Sequence, residues 1–153
     1  MSAGLTFHSD RQPDVEAIRA LYAASPLRRP IHDTERIQRM FEGYNVVLTA
    51  FHGGRLVGVL RGWTDFAHDG YVCDLAIHPD FQKAGIGRRL LDLAQGLGEG
   101  IEWVLQASPI ARDYYAHLGW EPIRNGWRLA RSGWNPGPLE AFQIEHADLA
   151  ARS

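Results

Sequence analysis

Cysteine and long apolar runs are scarce in this chain of 153 residues, which contains a single cysteine, Cys73. One cysteine excludes an internal disulfide and a zinc site built from several thiolates, so we expect no metal. The chain has no apolar run as long as a membrane-spanning helix needs, and its first residues lack the apolar core of a signal peptide. We therefore expect a cytoplasmic protein without a membrane partner.

The chain also has little excess of one charge over the other, because 16 lysine and arginine residues nearly balance 18 aspartate and glutamate residues. The net charge of −2 argues against nucleic acid as a partner, since such binding is driven by basic residues. Hydrophobic residues make up 45% of the chain, which is ordinary for a globular domain. We expect one domain over residues 1–132. Residues 133–153 form a tail that either packs on this domain or is exchanged within a homodimer.

Hydrophobic periodicity and turn residues predict an α/β chain in the order β-α-α-β-β-β-α-β-α-β. The predicted strands cover residues 5–8, 46–51, 56–63, 71–77, 101–106 and 127–130. The predicted helices cover residues 14–24, 35–43, 85–97 and 109–118. Hairpins join the early strands and helical crossovers join the later ones, so the central sheet should be mixed and flanked by helices.

The most informative segment joins a strand to a helix through Gln82-Lys83-Ala84-Gly85-Ile86-Gly87. A helix N-terminus carries unpaired N–H groups and roughly half a positive charge, so it suits a phosphate. Gly85 and Gly87 lack a Cβ atom, which lets a phosphate ester approach the backbone. The alternative is a plain tight turn at the start of a helix.

The spacing of these glycines fits neither the phosphate loop of NTPases nor the glycine motif of dinucleotide-binding folds. It resembles the [Q/R]-x-x-G-x-[G/A] signature of the GNAT superfamily, the acetyl-CoA-dependent N-acetyltransferases. Further along the chain, Tyr114-Tyr115-Ala116-His117-Leu118-Gly119-Trp120 is similar to the aromatic-Tyr-x-x-Leu-Gly-aromatic segment of the same family. The two motifs follow the family's order, and the resemblance covers residues 5–130.

The resemblance implies a GNAT-like fold in which the parallel strands 71–77 and 101–106 splay apart. Acetyl-CoA would be the co-substrate, with its pantetheine arm between these strands and its diphosphate on the glycine loop. The amide of Leu75 would polarise the thioester carbonyl. The implied cofactor-binding residues are Leu75, Ala76, Ile77, Gln82, Lys83, Ala84, Gly85, Ile86, Gly87, Arg88 and Ser108, the last of which stands where many members have asparagine.

The implied reaction is direct attack of a primary amine on the thioester in a ternary complex. Tyr115 occupies the family's tyrosine position and would be the general acid, because a phenol stays protonated at neutral pH; alternatively, it only packs. A general base is not evident. Asp74 is the one carboxylate within its predicted strand and is either a base or a hydrogen-bonded structural group.

Alternation along the strand predicts that Tyr71, Cys73, Leu75 and Ile77 share one face and that Val72, Asp74 and Ala76 share the other, unless a bulge shifts the register. The acceptor would be a small-molecule or peptide amine, and the expected substrate residues are Trp63, Asp65, Phe66 and Tyr71. The acidic side chains of Asp65 and Asp69 favour a cationic amine. Two alternative functions are a non-catalytic acyl-CoA-binding sensor module and a nucleotide-phosphate protein unrelated to CoA.

Overall fold

Five strands form one sheet, in the order β1-β2-β3-β4-β5, within residues 4–153, which a computed structural model describes. The strands are β1 (Leu5–His8), β2 (Val46–His52), β3 (Arg55–Thr64), β4 (Asp69–Ile77) and β5 (Glu102–Leu105). Neighbours from β1 to β4 are antiparallel, whereas β5 runs parallel to β4. The prediction of a mixed sheet in an α/β chain is therefore confirmed.

Helices cover both faces of this sheet. They are α1 (Val15–Ala24), α2 (Thr34–Glu42), α3 (Ile86–Gln95), α4 (Arg112–His117), α5 (Leu139–Glu145) and α6 (Ala147–Ala150), with 3-10 turns at Pro79–Ala84 and Pro109–Ala111. The helix predicted over residues 109–118 is thus split into a 3-10 turn and α4. None of these helices has the length and hydropathy to span a bilayer.

Two buried cores lie on the two faces. The α1 face packs against α1, α2 and α5 through Ile18, Leu21, Tyr22, Ile37, Phe41, Val59, Ala76 and Phe142. The α3 face packs against α3 through Leu48, Leu60, Val72, Ile86, Leu90 and Leu91. Residues 18, 21 and 22 of α1 have the i, i+3, i+4 spacing that places side chains on one side of a helix, which is why α1 can bury this stripe.

A β-bulge interrupts β4 at Cys73. Arg61 on β3 lies opposite Asp74, but the next residue on β3, Gly62, lies opposite Val72. Cys73 is therefore the extra residue, and the side chains on either side of it fall out of simple alternation.

The bulge makes part of the predicted alternation wrong. Val72 packs in the α3-face core, where Leu75 and Ile77 also make contacts. Asp74 and Ala76 lie on the α1 face, as their contacts with Tyr22 and the α1-face core show. Because one residue has been inserted at position 73, Val72 and Leu75 share a face although they are three positions apart.

The two parallel strands separate at the same place. The ladder between β4 and β5 runs from Asp69 opposite Glu102 to Val72 opposite Leu105. β4 then continues to Ile77 beside β3, without a strand on its other edge in the described residues. The predicted splayed strands are confirmed, and the gap between them starts at the bulge.

A buried ion cluster holds the bulge in place. Asp74 is 1% exposed, and its carboxylate accepts hydrogen bonds from Arg29 Nε at 2.6 Å, Arg61 Nε at 2.6 Å and the Tyr22 hydroxyl at 2.8 Å. The same two guanidiniums also contact the bulge residue: Arg29 Nη2 donates to the Cys73 carbonyl at 3.2 Å, and Arg61 Nη2 lies 3.0 Å from Cys73 Sγ. The cluster therefore links α1, the loop after it, β3 and β4.

The strand predicted over residues 127–130 is wrong. This segment has no regular structure, and Trp127 and Leu129 are 97% and 99% exposed. Alternating apolar and polar residues favour a strand locally, but a strand also needs a neighbour for its main-chain groups. The segment pairs with no described strand, so its main chain stays in water.

The C-terminal tail returns to the α1 face. Phe142 of α5 is 3% exposed in the α1-face core, and α6 packs along α1. Arg28, in the loop after α1, donates a hydrogen bond to the carbonyl of Gly137. Within one chain the tail thus covers part of the core that the domain would otherwise expose. Exchange of the tail between two copies stays a prediction.

Removing the aromatic ring that the tail contributes should destabilise the whole domain. We expect Phe142→Ala to lower the free energy of unfolding by about 3–5 kcal/mol, since it leaves a cavity in the core. The exposed neighbour Gln143 provides a control, for which Gln143→Ala should change stability by less than about 0.5 kcal/mol. Urea denaturation followed by tryptophan fluorescence measures both. Equal midpoints for the two variants would show that the tail is not part of the core.

Neutralising Asp74, the acid of the buried ion cluster, should destabilise the domain at least as much as Phe142→Ala does. We expect Asp74→Asn to cost about 3–5 kcal/mol, because two guanidiniums lose their counter-charge while one of them, Arg61, is 4% exposed. Asp10→Asn, at an exposed acid, is the control. Chemical denaturation at neutral pH measures the difference, and a loss no larger than in the control would contradict the assigned role.

The pH dependence of stability gives a second measurement on the same variant. Burial opposes ionisation of Asp74, but Arg29 and Arg61 hold the pKa of its carboxyl below the usual range. Its stabilising contribution is therefore present above the unfolded pKa of about 3.9 and is lost as the pH falls through the folded pKa. Asp74→Asn should remove that part of the acid-induced loss of stability.

Candidate active site

The open edge of β4 presents main-chain groups to the gap. The amide of His78 donates to the carbonyl of Val57 on β3 at 2.8 Å. Main-chain groups of successive residues in a strand point to opposite edges, so the amides of Leu75 and Ile77 face away from β3 and into the gap. The main chain of Ala76 faces β3, and this geometry does not bring it to the proposed cofactor arm.

A glycine turn at the end of β4 leads into α3. The 3-10 turn Pro79–Ala84 ends at Gly85, whose φ of 76° lies in the left-handed region that glycine adopts without strain. The first α-helical hydrogen bond runs from the Arg89 amide to the Gly85 carbonyl at 3.1 Å. The amides of residues 86–88 precede this bond and are donors without a partner in the helix.

Anchors on both sides fix the turn. The amide of Asp80 donates to the ring Nδ1 of His78 at 3.2 Å, and Phe81 and Ile86 are buried against the sheet. Gln82 and Lys83 are exposed at the rim, and Ala84 is half-buried. The turn is thus held rigidly while its polar side faces outward, which suits a site that binds through main-chain groups.

The basic side chains near this turn differ in what they contact. Arg88 is exposed and lies near Tyr114, where its charge favours the ionised phenol. Arg89 stacks its guanidinium over the ring of Phe7 at 5.4 Å and so points toward β1. Lys83 and Arg88 are exposed cations beside the turn that a bound anion can reach.

Tyr114 reaches the start of α3. Its hydroxyl oxygen lies 2.8 Å from the place where a Cβ atom on Gly87 would be, and a methyl of Leu75 lies 3.7 Å from the same point. A side chain at position 87 would displace this phenol from its present position. The side chain is 38% exposed, and burial raises the pKa of its hydroxyl.

Tyr115, the residue expected to be the general acid, packs deeper. Its ring contacts Tyr114 and Trp120 edge to face, with centroids 5.3 and 5.8 Å apart. Burial, with a smaller contribution from Tyr114, raises the pKa of Tyr115 to about 12. The phenol is therefore protonated at neutral pH, as a general acid requires. Sequence reasoning missed the position of Tyr114, since neighbouring tyrosines on a helix are distinguished only by how that helix packs.

Ser108 lies at the same end of the sheet. It follows β5 and begins the 3-10 turn before α4, where its side chain makes no capping bond. Because β4 and β5 are parallel, their carboxyl ends meet at one edge, and Ser108 lies on the β5 side of the gap that Leu75 borders on the β4 side.

The α1 face of the gap carries exposed aromatic side chains. Trp63 and Tyr71 are cross-strand neighbours of β3 and β4, and they are 45% and 37% exposed. The loop beyond them contains Phe66, which has a positive φ of 62° and is 51% exposed. These three aromatic residues expected at the acceptor site are therefore accessible and lie at one end of the sheet.

The charged residues expected to act at this site are held by other contacts. The carboxylate of Asp65 accepts the amides of Ala67, His68 and Asp69 at 2.8–3.0 Å, and these bonds, led by that of His68, hold its pKa below the usual range. Both oxygens of Asp74 are occupied in the ion cluster. That geometry favours the structural alternative for Asp74 over the general base. No group of three metal-ligating side chains comes together within residues 4–153.

Comparison with known proteins places this site in a family. The model of the acetyltransferase (GNAT) domain matches residues 20–133. A 67-residue stretch is 36% identical to a protein named uncharacterized N-acetyltransferase ycf52, from Gracilaria tenuistipitata var. liui. That stretch is 42% of this chain and 37% of the relative, so the similarity spans little more than a third of the relative's length.

Solved structures of low sequence identity share the fold. A probable acetyltransferase from meticillin-resistant Staphylococcus aureus superposes with a TM-score of 0.71 at 18% identity, over 83% of this chain and 98% of that one. The aminoglycoside N-acetyltransferase AAC(6')-Iy, in complex with CoA, superposes with a TM-score of 0.65 at 16% identity, over 84% and 95%. The match to the domain model includes the bulged strand, the glycine turn and α4. This chain belongs to the GNAT family of acetyltransferase domains.

Proposed function

We propose that this chain is an N-acetyltransferase that moves the acetyl group of acetyl-CoA to a primary amine by direct attack in a ternary complex. One observation carries the proposal: the open edge of β4 is followed, after the 3-10 turn and Gly85, by the free amides at the start of α3. An extended thioester arm that ends in a diphosphate would fit this line of main-chain donors, as an added strand fits the edge of a sheet.

The contacts with acetyl-CoA would follow from that line. The amides of residues 86–88 would bind the diphosphate, with Lys83 and Arg88 beside it, while the turn from Gln82 to Gly85 sets the entry to the helix. The main chain of Ile77 and the hydroxyl of Ser108 would border the arm from opposite sides. The Leu75 amide would donate to the thioester carbonyl as negative charge develops on its oxygen.

The chemistry needs two proton movements. The nitrogen of the neutral amine attacks the thioester carbon, the new C–N bond forms and the C–S bond breaks. Tyr115 would give its proton to the departing thiolate, and the attacking nitrogen would lose one. Asp74 is unsuited to take that proton, since its carboxylate is buried and bound by two arginines. A water molecule would take the proton from the attacking nitrogen, and the amine's own deprotonation in solution would supply the neutral nucleophile.

The remaining assignments are extensions of this proposal. The acceptor would lie on the α1 face beside Trp63, Asp65, Phe66 and Tyr71. Residues 1–132 would carry the catalytic domain and residues 133–153 the tail. The cytoplasmic location, the homodimer, the lack of a nucleic-acid or membrane partner and the kind of amine stay predictions.

Acetyl-CoA binding should depend on the space above Gly87. We expect Gly87→Ala to raise the dissociation constant for acetyl-CoA by about tenfold or more. The new methyl group would crowd the place proposed for the diphosphate and would displace Tyr114. Gly96→Ala at the other end of α3 is the matched control, since a Cβ atom there meets only ordinary contacts. Isothermal titration calorimetry measures both affinities. Unchanged affinity in folded Gly87→Ala would remove the glycine turn from the cofactor site.

Release of free thiol across a panel of amines decides between the functions. Turnover with any primary amine supports the transferase. Tight binding of acetyl-CoA without turnover of any amine would instead favour a non-catalytic sensor module. Competition by ATP at an affinity similar to that of acetyl-CoA would favour a nucleotide-phosphate protein.

Substitutions of the two neighbouring tyrosines should affect different kinetic constants. If Tyr115 is the general acid, Tyr115→Phe should lower kcat by about 10²-fold or more with little change in KM. Tyr114→Phe should mainly raise the KM for acetyl-CoA, because that hydroxyl lies at the start of α3. With a pKa of about 12, Tyr115 stays protonated up to pH 10, so kcat should not fall between pH 8 and 10 through loss of the acid. The reverse pattern in the two variants would assign the acid to Tyr114.

A further inference from the structure

The buried ion cluster on the α1 face carries an excess positive charge. It contains two guanidiniums, those of Arg29 and Arg61, and the single carboxylate of Asp74. Within residues 4–153, no other acidic side chain forms an ion pair with either arginine. Burial, reinforced by Asp74, raises the pKa of Tyr22 well above its usual value, so this phenol is neutral. The cluster therefore contains one positive charge that no carboxylate in it neutralises.

Arg61 is the enclosed member of the pair. Its side chain is 4% exposed, and the ring of Tyr44 lies 4.4 Å from the guanidinium carbon. Besides Asp74, it contacts the carbonyl of Met40 at 3.3 Å and the sulfur of Cys73 at 3.0 Å. With this low exposure, the guanidinium of Arg61 is nearly closed to a ligand arriving from solvent.

Arg29 is the accessible member. Its side chain is 26% exposed, and it uses three N–H groups: Nε to Asp74, Nη1 to the Arg28 carbonyl at 3.0 Å and Nη2 to the Cys73 carbonyl at 3.2 Å. A guanidinium has five N–H groups, so one on each terminal nitrogen of Arg29 remains free. This residue therefore combines the uncompensated charge with unused donors and contact with solvent.

The position of Arg29 relates it to the proposed acceptor site. Its bond to the Cys73 carbonyl places it two residues along β4 from the Leu75 amide, which is roughly 7 Å at about 3.4 Å per residue. Burial raises the pKa of Tyr71, and the positive charges of Arg29 and Arg131 partly oppose this rise. The acceptor side of the gap is thus positively charged as well as aromatic.

Resting on the proposed function, we propose that the acceptor is an amine that also carries a carboxylate, and that Arg29 binds this carboxylate with its two free N–H groups. A guanidinium matches the two oxygens of a carboxylate in geometry. One excess positive charge is balanced by a singly charged carboxylate, whereas a phosphate dianion would overcompensate it. The amine remains the cationic group that Asp65 and Asp69 favour, so the acceptor is a zwitterion in solution.

Binding to matched ligands tests this proposal. The 153-residue chain is saturated with CoA, and calorimetry measures the affinity of linear ω-amino acids from glycine to 6-aminohexanoate. Each acid is paired with its carboxamide, which keeps the shape and removes the charge. We expect the acid to bind about 10- to 100-fold more tightly than its carboxamide at one chain length or more. Equal binding of the pair, or no binding of either, at every length overturns the proposal if the peptide pair described next also shows no preference for the carboxylate.

A second set of ligands separates free amino acids from peptides. These ligands are dipeptide amides with a free N-terminal amine and with aspartate or asparagine at the second position. They offer an amine together with a carboxylate, or with its carboxamide, within a peptide. A preference for the carboxylate in this set alone would assign the carboxylate to a peptide side chain. A preference among the ω-amino acids alone would assign it to a small molecule.

Variants of the arginine identify the group that binds. In Arg29→Gln, Arg61 still pairs with Asp74, so the cluster has no excess charge. This variant should therefore lose the preference for the acid. Arg29→Lys keeps the charge but loses the planar fork, and should retain part of the preference. Arg36→Gln, at an exposed arginine of α2 paired with Asp33, should leave the preference unchanged. An undiminished preference in Arg29→Gln, or in Arg29→Lys if the former does not fold, would exclude Arg29 as the binding group.

Failure of the proposed function would look different. If CoA does not bind, or acetyl-CoA is not consumed with any amine, the proposed transferase function is wrong. The carboxylate preference can then still be measured on the protein without CoA. If amines are acetylated and carboxamides are as good substrates as acids, only the inference about the carboxylate falls.

Discussion

The shared ion pair of Asp74 is the interaction on which the geometry of the candidate active site depends. One carboxylate, nearly fully buried, holds two guanidiniums that in turn contact the carbonyl and the sulfur of Cys73. A bulge leaves an extra residue outside the ladder, and such a residue needs other partners for its main-chain groups. Here Arg29 provides a partner for the Cys73 carbonyl, and Arg61 contacts the sulfur of the same residue. The cost of burying three charged groups is thus tied to keeping an irregular strand in one conformation.

From this bulge the two sides of the gap follow. β5 leaves β4 immediately before Cys73, so the amides of Leu75 and Ile77 lose a neighbouring strand. The change of register places Val72 and Leu75 against the α3 face and turns Asp74 toward α1. The glycine turn therefore meets the gap from one face, and the arginines and aromatic residues meet it from the other. A thioester and an amine could approach each other through the opening without sharing a binding surface.

How much of this could be predicted from the sequence depends on the range of the interactions. The glycine turn and the start of α3 were predictable, because Gly85 and Gly87 act through the local backbone. Most strands and helices were predictable from periodicity for the same reason. The pairing of Arg29 and Arg61 with Asp74 was not, since it joins residues that are far apart in sequence. Nor could the lack of a strand at Trp127 and Leu129 be foreseen, because alternation does not reveal whether a neighbouring strand is within reach.

The division between the faces also determines where specificity can reside. On the α3 side the proposed contacts come from main-chain amides, whose positions depend on the fold and little on which side chains surround them. A cofactor site of this kind tolerates extensive sequence change as long as the turn and the bulge persist. On the α1 side the available contacts are side chains, and a single arginine there controls the balance of charge. The identity of the acceptor should therefore depend on a few residues around Arg29 and Tyr71, while the acyl donor depends on the backbone.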